Sequence, residues 1–112
     1  MEQRTLTLEQ IEREFLIEDI SPARLASLRV LLGGKYSTAM NNLEKILKQK
    51  PVIWNEMRKD HKSDAATERA WEATEFGLEE LHWTFQRKKI EKMMSACKSL
   101  IDLKTSEGYN IM

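Results

Sequence analysis

The stretch from Ser63 to Lys104 contains no proline and only one glycine, Gly77. Proline and glycine are the residues that most often end or bend an α-helix. Ser63 is a good N-terminal cap, and acidic residues follow in the first turns, where the positive end of the helix dipole favours them. The sequence therefore predicts one long helix over residues 63–104, roughly 60 Å in length at 1.5 Å per residue. It leaves open whether this helix is broken at Gly77.

The apolar residues of this helix fall on two faces when they are placed at roughly 100° per residue. The first, which we call the Trp83 face, carries Phe76, Trp83, Ile90, Met94 and Ile101. The second, the Leu81 face, is roughly 120° to 180° away and carries Trp71, Leu78, Leu81 and Phe85. A helix that packs against one body needs one apolar face. We expect the Leu81 face to hold the chain's own hairpin and the Trp83 face to meet a second chain or a partner protein.

A short helix is predicted near the N-terminus. Thr7 and Gln10 have the spacing of a capping box, in which each residue satisfies a backbone N–H of the other. Apolar residues follow at helical spacing, which predicts an acidic helix over residues 8–18. The arm that carries it either docks on the basic segment that follows or reaches a neighbouring chain, and the sequence does not choose between the two.

A helical hairpin is predicted over residues 21–62. A proline at position 22 is typical of the first turn of a helix. We expect Gly33-Gly34 to break or bend this helix and Pro51 to end it, since the residue before a proline avoids the α region. No stretch alternates apolar and polar residues over enough positions to predict a strand.

These patterns predict an all-α fold with a short N-terminal helix, a helical hairpin with a basic turn, and one long C-terminal helix with two apolar faces. At 112 residues the chain is one small domain's length. We divide it into an acidic N-terminal arm, residues 1–20, and a helical domain, residues 21–112, whose short tail begins at residue 105. There is no apolar run of about 18 residues and no signal-peptide core, so we expect a cytoplasmic protein without a membrane span.

The net charge is zero, but the charge is sorted along the sequence. Residues 1–20 carry −4, residues 21–62 carry +6, residues 63–80 carry −5 and residues 81–104 carry +4. Pairing between antiparallel helices explains such an alternation. A basic face at one end of a hairpin, which would attract an anionic polymer, explains it as well.

The basic residues form clusters that are compatible with phosphate contacts, which add affinity without sequence specificity. Trp54 lies beside one cluster and is a candidate to stack on an unpaired base, whereas Trp71 and Trp83 are expected to pack in a core or an interface. The candidate nucleic-acid-binding residues are Lys45, Lys48, Lys50, Trp54, Arg58, Lys59, Lys62, Arg87, Lys88, Lys89 and Lys92.

Few residues could support catalysis. The only imidazole and thiol groups, on His61, His82 and Cys97, lie on separate stretches, so no nucleophile–base pair is indicated. Glu79-x-x-His82 has the spacing of a di-iron ligand pair, but such a site needs a second copy of the motif and two more glutamates. We therefore predict no enzyme activity, no metal, no cofactor, and a reduced, buried Cys97.

A helical hairpin over Leu25–Lys62 is followed by the basic run Arg87–Lys92 and by an apolar tail that closes on Gly108-Tyr109. This order of elements resembles the small helical recombination-mediator proteins of tailed bacteriophages, the UvsY-like accessory proteins. The resemblance covers most of the chain as a pattern. It implies a ring-like homo-oligomer that binds single-stranded DNA and helps to load a recombinase onto strands coated by a single-strand-binding protein.

Two functions follow from these observations. The first is a non-enzymatic helical homo-oligomer that binds single-stranded DNA as a recombination mediator of phage type. The alternative is a small helical adaptor or inhibitor, for example one encoded by a phage, that binds one protein through an exposed apolar face and does not bind nucleic acid.

Overall fold

The computed structural model describes the backbone of residues 6–111 and the side chains of residues 6–106. Over that range it contains the α-helices α1 (Leu8–Phe15), α2 (Pro22–Arg58), α3 (Asp64–Glu72) and α4 (Glu75–Ile111), and no strand. The predicted all-α class is confirmed. The first five residues of the predicted acidic arm and the last residue of the predicted tail lie outside the described residues.

Helix α1 begins with the predicted capping box. The Thr7 hydroxyl accepts a hydrogen bond from the Gln10 backbone N–H at 3.2 Å, and the Gln10 side chain accepts one from the Thr7 N–H at 2.8 Å. The helix ends at Phe15, three residues before the predicted end. Its one fully buried side chain is Ile11, which anchors the helix to the rest of its unit.

Helix α2 runs through Gly33-Gly34 without a break, so one helix, Pro22–Arg58, takes the place of the hairpin predicted over residues 21–62. Leu28 and Leu32 before the glycines are buried, as are residues 39 and 43 after them. These four positions lie on one side of the helix only if the helix is continuous through the glycines. Their burial outweighs the roughly 1 kcal/mol that a glycine costs in a helix relative to alanine.

Helix α2 also continues through Pro51 to Arg58, so the predicted end at this proline is wrong as well. Pro51 is exposed and gives up one helical hydrogen bond, because it has no backbone N–H. The turns after it are tied to α3 by two side-chain bonds. Trp54 donates to Glu68 at 2.9 Å, and Arg58 is 2.8 Å from Asp64.

The predicted helix over residues 63–104 is divided into α3 and α4 by a short corner. Ser63 caps α3 as predicted, by accepting a hydrogen bond from Ala66 N–H at 3.1 Å. At the corner, the Thr74 hydroxyl donates to the Trp71 carbonyl at 2.6 Å and accepts from the Gly77 N–H at 3.0 Å. Thr74 is thus the N-cap that starts a new helix. At its other end α4 extends to Ile111, past the predicted end at residue 104.

Contacts divide the chain into two compact units, and α2 and α4 each contribute a segment to both. The first unit comprises Met1–Tyr36 and Lys89–Met112, and the second comprises Ser37–Lys88. The core of the second unit contains Ala39, Leu43, Ile46, Thr67 and Trp71.

The first unit is held by an apolar core and by side-chain bonds between its segments. Cys97 is fully buried, as predicted, and its thiol is 3.1 Å from the Leu25 carbonyl oxygen. Burial raises the pKa of the Cys97 thiol, and the nearby Arg29 offsets only part of this effect, so the thiol stays protonated and can donate to that carbonyl. Arg24 makes a two-pronged ion pair with Glu14, with both nitrogen–oxygen distances at 2.7 Å.

Gly77 is required by the corner between α3 and α4. A Cβ atom at this position would clash with the Trp71 carbonyl group and would lie 2.9 Å from Glu72 Cα, whereas a Cβ at Gly33 would meet nothing within 4 Å. Gly77→Ala should therefore lower the free energy of unfolding by about 1–3 kcal/mol.

The matched control is Gly33→Ala, which should raise the free energy of unfolding by about 0.5–1 kcal/mol, because alanine is the better helix former. Urea unfolding followed by circular dichroism measures both. Equal effects of the two substitutions would contradict the close approach at Gly77.

Candidate functional site

Lys50 is the centre of a polar cluster that joins α2, α3 and α4 within the second unit. Its Nζ atom is 3.4 Å from an oxygen of Glu68 on α3 and 3.1 Å from an oxygen of Glu80 on α4. It also lies 5.4 Å from the centre of the Trp71 ring. Trp54 Nε1 donates to Glu68 at 2.9 Å, and Trp71 Nε1 donates to Glu80 at 3.3 Å. Each glutamate is therefore shared between one cation and one indole.

The surroundings of Lys50 keep its charge. Burial alone would lower the pKa of Lys50, but the hydrogen bonds and charges of Glu80 and Glu68 outweigh burial, and the pKa lies above its ordinary value. The polar side-chain atoms of Lys50 and Trp54, two candidate nucleic-acid-binding residues, are thus already bonded to glutamates of their own unit.

Four of the nine other cations of the candidate set also have carboxylate partners in their own unit. Arg58 donates to the backbone carbonyl of His61 at 2.6 Å in addition to its ion pair. Arg87 is half-buried, and its Nε atom has no hydrogen-bond partner among the described residues. The ion pairs of the remaining cations are Lys48 with Glu44, Arg58 with Asp64 and Lys59 with Glu56 in the second unit, and Lys89 with Glu12 in the first. Within the described residues, Lys45, Lys62, Lys88 and Lys92 are exposed and have no ion pair.

The prediction that the Trp83 face is uncovered is wrong at its centre. Ile90 is only 2% exposed, and Trp83, Met94 and Ile101 are half-buried within the chain itself. Phe76 is 42% exposed, but its ring stacks on Trp71 at a centroid distance of 6.5 Å. This face therefore contributes mainly to the chain's own packing.

The opposite assignment, that the Leu81 face holds the chain's own hairpin, is wrong for every residue on α4. Leu78, Leu81 and Phe85 are 56%, 53% and 62% exposed. Only Trp71, which belongs to α3, is buried. We call Leu78, Leu81 and Phe85, which all belong to the second unit, the α4 stripe. They are spaced i, i+3 and i+7 and therefore lie along one side of the helix.

The reason for the reversal lies in Gly77 and Glu80. Gly77 lies directly against the Trp71 carbonyl group, and Glu80 is bonded to Lys50 and Trp71. These two contacts fix which side of α4 faces α2 and α3, and they leave the α4 stripe in water. Apolar periodicity gives no weight to a glycine or a glutamate, so it could not identify this buried side. One signal in the sequence could have indicated the start of α4. Thr74 followed by Glu75 is an N-cap pattern, which predicts that a helix begins there.

The charged residues beside the α4 stripe lie on its two flanks. At roughly 100° per residue, Glu75 and Glu79 lie on one flank of the stripe and Lys88 lies on the other, and all three side chains are exposed. None of these three side chains makes an ion pair with another described residue. The surface is thus a short apolar strip between an acidic flank and a basic flank.

Among the described residues, no group of three or more histidine, cysteine, aspartate or glutamate side chains is placed to hold a metal ion. No helix in the same range has the length and apolar character needed to cross a membrane. No protein-family model, curated protein or solved structure matches this chain. The proposals below are therefore based on the chain's own residues.

The contribution of Lys50 can be measured by substitution. Lys50→Ala removes the cation from two partly buried carboxylates, so the free energy of unfolding should fall by about 1.5–3 kcal/mol, the range for hydrogen bonds to charged groups. Lys48→Ala is the matched control, because its pair with Glu44 is exposed and screened by solvent, so its loss should change the free energy of unfolding much less. Chemical unfolding at neutral pH measures both variants, and a Lys50→Ala effect no larger than the control would contradict the structural role of Lys50.

Proposed function

We propose that this protein is a non-enzymatic helical protein that acts by binding another protein chain through the α4 stripe. The observation that supports this most strongly is the exposure of Leu78, Leu81 and Phe85, each more than half exposed on one side of one helix. Single exposed apolar residues are ordinary on protein surfaces. A contiguous apolar strip with polar residues around it is typical of an interaction site.

The energy available from this strip supports binding of a protein surface. Each half-exposed large side chain leaves roughly 100 Å² of apolar area in water. Covering about 300 Å² at about 25 cal/mol per Å² contributes roughly 7 kcal/mol before the entropic costs of association. The backbone of the strip is already ordered, because it lies within one helix, so little backbone ordering opposes binding.

The test places a photoreactive cross-linking side chain at position 81 and irradiates the cells that naturally make the protein. Adducts with a protein, identified by mass spectrometry of the cross-linked peptides, should form at this position and disappear when Phe85→Glu is added. The glutamate introduced at position 85 would have to be buried in the interface without a countercharge, which opposes binding. The fold of the variant should survive because Phe85 is exposed.

The matched control carries the same cross-linker at Val52, an exposed apolar residue on α2 of the same unit. Protein adducts at position 81 no more abundant than at position 52, or adducts that persist in Phe85→Glu, would contradict the proposal. Adducts with nucleic acid at position 81 would do so as well.

Single-stranded DNA binding is a second candidate, and a separate observation supports it. Lys45, Lys62 and Lys88 of the second unit are exposed and make no ion pair with any described residue. Lysines in this state are free to neutralise phosphates. The resemblance to UvsY-like recombination mediators points the same way. The paired state of Lys48, Lys50, Arg58 and Lys59 makes this candidate weaker than protein binding, since those cations already have carboxylate partners.

A fluorescence titration with a labelled single-stranded oligonucleotide at several salt concentrations tests the second candidate. If Lys45 and Lys62 contact phosphates, replacing both with alanine should reduce the slope of log affinity against log salt by about 1.4, at roughly 0.7 for each contact. Lys48→Ala, which removes a paired lysine, is the control and should change the slope less. An oligonucleotide that does not bind at low salt would rule this candidate out.

A further inference from the structure

We propose that a groove between α2 and α4 in the first unit binds a small phosphate monoester that carries an amino group at its far end. The groove has a volume of about 350 Å³, within the roughly 300–1,000 Å³ of small-molecule sites. Its lining residues are Arg29, Tyr36, Glu91, Met94, Ser95 and Lys98. None of them belongs to the α4 stripe, so this proposal is independent of the function proposed above.

The two helices that form the groove are antiparallel. In this unit the Cys97 thiol is 3.1 Å from the Leu25 carbonyl oxygen, and the Tyr36 hydroxyl donates to a carboxylate oxygen of Glu91 at 3.2 Å. Residue numbers therefore rise along α2 in the direction in which they fall along α4.

This direction places opposite charges at the two ends of the groove. Arg29 and Tyr36 lie about two turns apart on one side of α2, and Glu91 and Lys98 lie about two turns apart on one side of α4. Each spacing corresponds to roughly 10 Å along the helix axis. Arg29 and Lys98 are thus at one end of the groove, and Tyr36 and Glu91 are at the other.

The cationic end of the groove matches a phosphate group. Arg29 and Lys98 are exposed, and neither makes an ion pair with another described residue. The charge of Arg29 offsets part of the pKa rise that burial gives the Cys97 thiol, so the guanidinium lies near α4. Ser95, which is exposed and lies less than one turn from Lys98, adds a hydroxyl. Two cations and a hydroxyl suit a phosphate monoester, which carries about −1.5 to −2 charge at neutral pH and three acceptor oxygens.

The acidic end of the groove matches an amino group. Glu91 makes no ion pair with another described residue, and only one of its carboxylate oxygens accepts the Tyr36 hydroxyl. A carboxylate accepts several hydrogen bonds, so Glu91 can also accept one from a ligand. Between the two ends, α4 contributes the half-buried Met94, and α2 contributes Gly33, where a Cβ atom would meet nothing within 4 Å. This leaves room for a short apolar chain that joins the phosphate to the amino group.

Isothermal titration of the full chain with 6-aminohexyl phosphate tests the proposal, and hexyl phosphate and hexylamine serve as its two half-molecules. The bifunctional probe should bind more tightly than either half-molecule. Arg29→Ala and Lys98→Ala should each raise its dissociation constant roughly three- to tenfold, because each removes a charged donor to the phosphate. Glu91→Gln should remove the advantage of 6-aminohexyl phosphate over hexyl phosphate, since it takes away the charge that holds the amino group.

The matched control is Arg13→Ala, which removes an exposed arginine from α1 of the same unit and should leave the dissociation constant unchanged. Circular dichroism checks that each variant keeps its helix content. No binding of 6-aminohexyl phosphate at millimolar concentration, or effects of Arg29→Ala and Lys98→Ala no larger than that of the control, would overturn the site. Equal affinity for hexyl phosphate would overturn the amino group at the far end. A carboxylate probe, 6-aminohexanoate, that binds as tightly as 6-aminohexyl phosphate would overturn the phosphate.

Discussion

The ion pairs of Lys50 are the interaction on which the second unit depends. One ammonium group bridges carboxylates on α3 and α4, and the same carboxylates accept hydrogen bonds from Trp54 and Trp71. Removing the cation would leave two partly buried negative charges close together, which is more costly than losing a single surface pair. The cluster therefore fixes how three helices meet, and it does so around a tryptophan that is 1% exposed.

This cluster also determines which surface remains for function. Because Glu80 is directed toward Lys50 and Gly77 lies against the Trp71 carbonyl, the side of α4 that faces α2 and α3 is fixed by polar contacts and close packing. Leu78, Leu81 and Phe85 lie on the other side. Part of the alternating charge of the sequence is paired between helices of the same unit, by Lys50 with Glu68 and Glu80 and by Arg58 with Asp64. The ion pairs of Lys48 and Lys59 are local, within α2 and the turn that follows it. Exposed apolar area is then the property that most distinguishes this surface.

Local signals in the sequence were sufficient for the helical class and for two helix starts, because the caps at Thr7 and Ser63 depend on residues a few positions away. The continuity of α2 could not be predicted, since glycine and proline act locally whereas the burial that overrides them involves residues distant in sequence. The orientation of α4 failed for a related reason. Two apolar faces were correctly recognised on the helix, but the choice between them was made by Gly77, Glu80 and Lys50, which carry no apolar signal.

The α4 stripe is proposed to be covered by another protein chain, and the reactivity of a thiol placed in the stripe measures this directly. A Leu81→Cys chain is treated with a maleimide in the cells that naturally make the protein and again as a dilute purified chain, while native Cys97 stays protected because it is fully buried. A Val52→Cys chain is the reference, because Val52 is exposed on α2 of the same unit. Position 81 should react more slowly in cells than in the purified chain, relative to position 52. Equal relative rates in cells and in the purified chain would contradict the proposal.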